Sequence, residues 1–158
     1  MIKINRNITP GDYSLSDIFD GLQEVDILAK VFKTKEELDD VFLKTKVIVE
    51  ESDHYMYVKN DDATVVIGFK HLTNSDTKTL YLDIVHELVH VMQQRQGLDL
   101  YDKSYSYVDR PTEIEAYEIA VLEAKNLGMS EKEIFEYLHV EWITPEEHKR
   151  LATHVGLF

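Results

Sequence analysis

The chain has no cysteine. Disulfide scaffolds, thiol nucleophiles and cysteine-ligated zinc are therefore excluded. Basic side chains are scarce: 17 Lys and Arg stand against 30 Asp and Glu, for a net charge of -13. Such a surface repels a phosphate backbone, so nucleic acid is not an expected partner, whereas cations, divalent metals included, are favoured. No apolar run approaches the roughly 20 residues of a membrane-spanning helix. Met1 to Arg6 lead into polar residues, not into the apolar segment of a signal peptide. A cytoplasmic protein with no membrane partner is expected. Repeats, low-complexity tracts and long linkers are also missing from the sequence.

What is present suffices for an ordinary folded domain. Of 158 residues, 44% are hydrophobic and 10% aromatic, enough to bury one core without covalent staples. A single domain over 1–158 is expected, with N-terminal helices, a sheet and a motif helix in 1–97 and a helical part in 98–158. Ser14 or Ser16 caps a predicted helix running to about Phe32, and Thr34 with Glu37 predicts a second through about Lys44. The runs Lys46–Glu51, His54–Lys59 and Ala63–Phe69 are rich in Val, Ile and Tyr and are separated by turn residues, which reads as a three-stranded antiparallel meander. In the last run Val65, Ile67 and Phe69 share one face, as in a half-buried strand.

After a polar loop at His71–Ser75, a long helix is predicted from near Asp76 to Gly97. A Tyr-rich loop, Asp99–Asp109, precedes a helix that opens on Pro111 and ends at Gly128. Ser130 with Glu133, and Thr144 with Glu147, cap two shorter C-terminal helices. The expected fold class is α+β: a small antiparallel sheet packed with a central motif helix and a C-terminal helical part.

The central helix carries His86-Glu87-Leu88-Val89-His90. Residues four apart lie about 40° from one another around a helix and one turn along it, so both imidazoles reach one point beside it. Zinc accepts two such nitrogens and needs further ligands. Glu87, on the flank of that face, stands where it acts on water at the metal without ligating the metal. A shuffled chain of this composition would carry the pattern about 3% of the time. The blander reading, two histidines on the wet face of an amphipathic helix, therefore has to be weighed.

The next helix weighs against it. Glu113 lies in line with Ala116, Tyr117, Ala120, Val121, Ala124 and Leu127, which make the buried stripe of that helix. Glu115 is about 200° away, on a face with Glu118, Lys125 and Asn126. A carboxylate heading a buried stripe is costly unless paired or bound to metal. Favourable interaction with the helix N-terminus is the alternative explanation for Glu113. Glu113 is the preferred third ligand and Glu115 the fallback.

His86-Glu87-Leu88-Val89-His90 followed by Glu113-Ile114-Glu115-Ala116-Tyr117 resembles the gluzincin pattern, HExxH and then a ligand helix of the form Glu-x-x-Ala or Glu-x-x-Ser. The short form is similar to the minigluzincins of archaea and to metallopeptidases that cleave phage repressors. The stretch His86–Gln94 is also similar to the HELTHxxQQ segment of peptidase domains associated with contractile injection systems. The likeness covers about Thr64 to Ala120. It implies a zinc metalloprotease acting on a peptide or protein substrate: His86, His90 and Glu113 hold Zn2+, Glu87 is the general base, and Ala63–Phe69 is the edge strand that pairs with extended substrate. Tyr117 departs from the pattern, because an Asp or Asn that orients a ligand histidine often stands there, and a phenol is a weaker partner.

Peptide hydrolysis is the reaction expected, with the metal polarising the scissile carbonyl and acidifying water and Glu87 moving the proton. Tyr101, Tyr105 and Tyr107 are candidate oxyanion donors, although each serves equally well as amphipathic surface cover. His54, His71, His139, His148 and His154 read as surface or hydrogen-bonded histidines, and Trp142 as core or as an anchor for a partner. The extension Gly128–Phe158 either covers the core or lies across the cleft and limits access. The rival readings are a non-catalytic zinc-binding or interaction protein on the same fold, and a structural domain with an accidental motif.

Overall fold

The computed structural model describes residues 2–158; Met1, part of the expected 1–158 domain, lies outside the described residues. In chain order the elements are β1 (Lys3–Ile4), β2 (Gly11–Ser14), α1 (Leu15–Ile18), β3 (Phe19–Asp20), α2 (Lys35–Lys44), β4 (Lys46–Glu50), β5 (Met56–Val58), β6 (Val65–Gly68), α3 (Phe69–Asn74), α4 (Thr77–Arg95), α5 (Pro111–Asn126), α6 (Glu131–Tyr137) and α7 (Pro145–His154). The fold is α+β. Among the described residues no helix is long and apolar enough to cross a membrane.

Capping chemistry sets the helices of the second half. Asp76 accepts from the Thr79 amide to start α4, and Gly97, at φ +82°, ends it in a conformation most side chains avoid. Pro111 opens α5, and reciprocal Ser130–Glu133 and Thr144–Glu147 capping boxes start α6 and α7. α4 packs along α5, where Ala116, Ala120 and Ala124 are fully buried and let the two helices approach closely. The buried side chains form one contiguous cluster from Ile2 to Leu157.

The first half departs from the expected pattern. Ser14 does cap a helix, with Asp17 completing the box, but α1 lasts only four residues. Its chain then pairs back, Phe19 and Asp20 against Ile4 and Lys3, and turns at Gly21 with φ +87°. Gly11–Ser14 forms a strand, and 3-10 turns replace the rest of the helix expected to reach Phe32. Nor is the sheet an antiparallel meander. Its order is β2-β4-β6-β5, with β6 parallel to β4 and antiparallel to β5. Val65, Val66 and Ile67 are all fully buried, so both faces of β6 are covered, as a central strand requires. Phe69 belongs to α3, which also takes up most of the expected polar loop.

The sheet is edged by β2 and β5, and the edge strand at the cleft is therefore β5, not Ala63–Phe69. In the antiparallel ladder the Lys59 amide donates to the Thr64 carbonyl and the Gly68 amide to the Tyr55 carbonyl. Alternation then turns the amides and carbonyls of Met56 and Val58 outward, toward the free edge that runs beside α4. Tyr101 donates its hydroxyl to the Val58 carbonyl.

Candidate metal centre

The HExxH face of α4 is not an outer surface of the protein. Thirteen of its 19 residues are buried, including His86, Glu87, His90 and Gln93. The polar face forms the floor of a cleft of about 640 Å³, walled by β5 on one side and by the Tyr-rich loop and the α6–α7 connection on others. α5 brings Glu113 to the same floor from its first turn.

Three donor atoms converge there. His86 Nε2 is 3.0 Å and His90 Nε2 3.1 Å from Glu113 Oε1, and the two nitrogens are 3.1 Å apart. A carboxylate oxygen of Glu87 lies within 4.8 Å of both rings' nitrogens. Donors around a tetrahedral zinc at about 2.0–2.1 Å stand roughly 3.3 Å from one another, so the observed triangle needs only a small expansion. Glu115 is elsewhere: it is exposed and accepts a hydrogen bond from Gln93.

Gln93 determines which atom His90 presents. Its amide nitrogen donates to the Thr112 carbonyl at 3.0 Å and to Glu115 Oε1 at 2.8 Å, which fixes its orientation. Its oxygen therefore faces His90 Nδ1 at 2.8 Å, and that nitrogen is the donor. In the neutral ring Nε2 then carries a lone pair aimed at Glu113 and His86. Two lone pairs and a carboxylate cannot face each other in a buried site without a shared proton or a cation. The donor set, two imidazoles and one carboxylate, is one that zinc accepts, and the residues fit it.

The electrostatics follow from the same crowding. Burial depresses the His86 imidazole, and the neighbouring His90 charge adds to this against the Glu113 bond. Burial also works against a charged His90, but the Glu113 carboxylate outweighs it and holds the ring up at about 9. For Glu113 burial pushes upward, and the histidines beside it win, keeping the carboxyl well below the usual range. Glu87 has no such partner. Burial raises it well above the ordinary glutamate value, the charges of Glu113 and Asp83 add to this, and only His90 opposes.

Other expected residues divide. Tyr117 does not orient a ligand histidine through its hydroxyl, which pairs with that of Tyr107 at 2.6 Å. Its ring instead packs against His86 with centroids 4.2 Å apart, and His86 Nδ1 is buried with no hydrogen-bond partner among the described residues. Tyr101 and Tyr107 line the cleft with their hydroxyls engaged, whereas Tyr105 is 45% exposed and faces a neighbouring depression. His71 is hydrogen-bonded, one of the two expected states, and is buried in the cleft wall: its Nε2 is 2.7 Å from Asp83, which also accepts from Tyr137, and Ser75 meets its Nδ1 at 2.8 Å. Trp142 is not core; it is 59% exposed at the cleft mouth. Glu136 to Trp142 contribute to that wall, and Arg150 and His154 fasten α7 to Asp109 behind it.

Gln93 is a positioning group whose only mark in the sequence is its place three residues after His90 on the polar face of the helix. Gln93→Ala should weaken zinc binding by about 10- to 100-fold, as loss of an orienting partner does. Competition against a chelating dye measures this, and unchanged affinity would show that His90 is held by packing alone. Comparison with protein-family models, with curated proteins and with solved structures finds no match to this chain.

Proposed function

We propose that the protein is a zinc-dependent peptidase, with the metal held by His86, His90 and Glu113 and with Glu87 as general base. The observation that carries this reading is the 3.0–3.1 Å triangle of His86 Nε2, His90 Nε2 and Glu113 Oε1 at the floor of an open cleft, with a second acid, Glu87, beside it. A metal held only for structure has no use for that acid.

When bound, zinc supplies Lewis acidity toward a carbonyl oxygen and toward water. Glu87, buried and without a hydrogen-bond partner of its own, takes the proton from water and delivers it to the leaving amine. The Met56 amide and carbonyl on the free edge of β5 offer an extended peptide two backbone hydrogen bonds and hold it along the cleft. Gln93 keeps the His90 ring in one tautomer.

Metal analysis of the purified protein combined with digestion of a peptide library tests the reading. One zinc per chain and metal-dependent cleavage, abolished by chelation and restored by zinc, are expected. Protein that purifies and folds without a stoichiometric metal, and gains none on zinc addition, would overturn it. Bound zinc with no cleavage of any peptide would leave a metal-binding module.

A further inference from the structure

A string of aromatic rings leads from the metal centre to the cleft mouth. Tyr117 packs on His86, Tyr107 lies 6.2 Å from Tyr117 and bonds to its hydroxyl, and Trp142 stacks on Tyr107 with centroids 5.4 Å apart and planes at 14°. Tyr55, which leads into β5 on the opposite rim, meets the same indole at 5.9 Å. Trp142 is thus the point where the two rims touch.

Its exposure is unusual for its setting. Val140 and Ile143 on either side are each 8% exposed and tether the connection, while the indole between them is left 59% exposed. A tryptophan held outward by buried neighbours, and ordered by stacking on one ring and tilted contact with another, presents apolar area without having to be organised first. The cleft lining below it carries four acids, Asp83, Glu87, Glu113 and Glu136, against one arginine, Arg110. An acidic side chain in this cleft is repelled, and an aromatic or large aliphatic one gains contact area.

The geometry points to a side-chain subsite formed by Tyr55, Tyr107 and Trp142 that selects peptides with an aromatic or bulky aliphatic residue placed to reach the cleft mouth. This rests on the peptidase reading for its biological sense, but its test does not. Zinc-loaded Glu87→Gln protein is titrated with blocked peptides of equal length that differ at one residue, Phe, Leu, Ala or Glu. The Phe and Leu peptides should bind about 10- to 100-fold more tightly than the Ala peptide, the gain from covering one large side chain. Emission from Trp142, the single tryptophan of the chain, should change as they bind. By calorimetry, Trp142→Ala should bring the Phe peptide to the level of the Ala peptide, and Trp142→Phe should keep most of the preference. Equal affinity for the Phe, Ala and Glu peptides, or a Phe preference that survives Trp142→Ala, would overturn the subsite. Cleavage by the wild-type protein without side-chain preference would also retire the subsite, while leaving hydrolysis standing. Tight Phe-selective binding with no cleavage would retire hydrolysis and leave the subsite.

Discussion

Replacing Glu87 by glutamine is expected to lower peptide turnover by about 10²- to 10⁴-fold, the range that a positioned acid–base group contributes, with zinc still bound. The amide matches the carboxylate in size but takes up no proton from water. The three closest donors, from His86, His90 and Glu113, remain in place, so metal content should be unchanged. Stability should not suffer either. The amide has the shape of the carboxylate and no charge to desolvate, so the exchange adds no burial cost. Elemental analysis and progress curves on the same preparation separate the outcomes. Retention of more than a tenth of the activity would place the base elsewhere, and loss of zinc would make Glu87 a ligand.

The largest effect on stability is expected far from the motif, at Gly68. A methyl group built there would sit 1.9 Å from the His54 carbonyl oxygen and 3.0 Å from its carbon. These are backbone atoms of the segment leading into β5, so no side-chain rotation relieves the clash. The backbone of Gly68 is ordinary, with φ -67°, which makes the requirement one of space and not of conformation. Gly68→Ala should cost about 3 kcal/mol, at the upper end of overpacking effects, and lower the melting temperature by roughly 10 °C for a chain of this length. Gly21→Ala gives the opposite test: its site is open but at φ +87°, and the cost should be about 1–2 kcal/mol from strain alone. Because Gly68 pushes against the strand that walls the cleft, turnover should fall with stability. Thermal melts that coincide with wild type would rule out the close approach.

The parts of the fold that could be read from sequence are those governed by local chemistry. Asp76 and Gly97 bound α4, Pro111 opens α5, and the Ser130 and Thr144 boxes start α6 and α7, each because a cap satisfies its own backbone within a few residues. The inward stripe headed by Glu113 was legible for the same reason, since periodicity belongs to a single helix. Pairings between distant segments were not. Turn residues around Ser52-Asp53 and Asn60-Asp61-Asp62 fit a meander, but they do not say which run becomes central. The signal for that is the unbroken Val65-Val66-Ile67 run, which marks a strand covered on both faces. The helix expected through Phe32 overlooked Asp20-Gly21, a turn that lets Phe19 pair with Ile4. At the site, the two ring nitrogens and the acids follow from the motif, whereas Gln93, His71 and Trp142 acquire their places only through contacts with α5, Asp83 and the rims of the cleft.

The brevity of the sheet margin at the cleft bears on how that side of the protein behaves when crowded. An open strand long enough to receive a ligand is also a template for other copies of the same chain, and fibrous or swapped assemblies start at such margins. Here the strand is three residues long, and the phenol of Tyr101 closes the carbonyl at its far end. What is left accommodates a single residue of an incoming chain, too little to seed a growing ribbon.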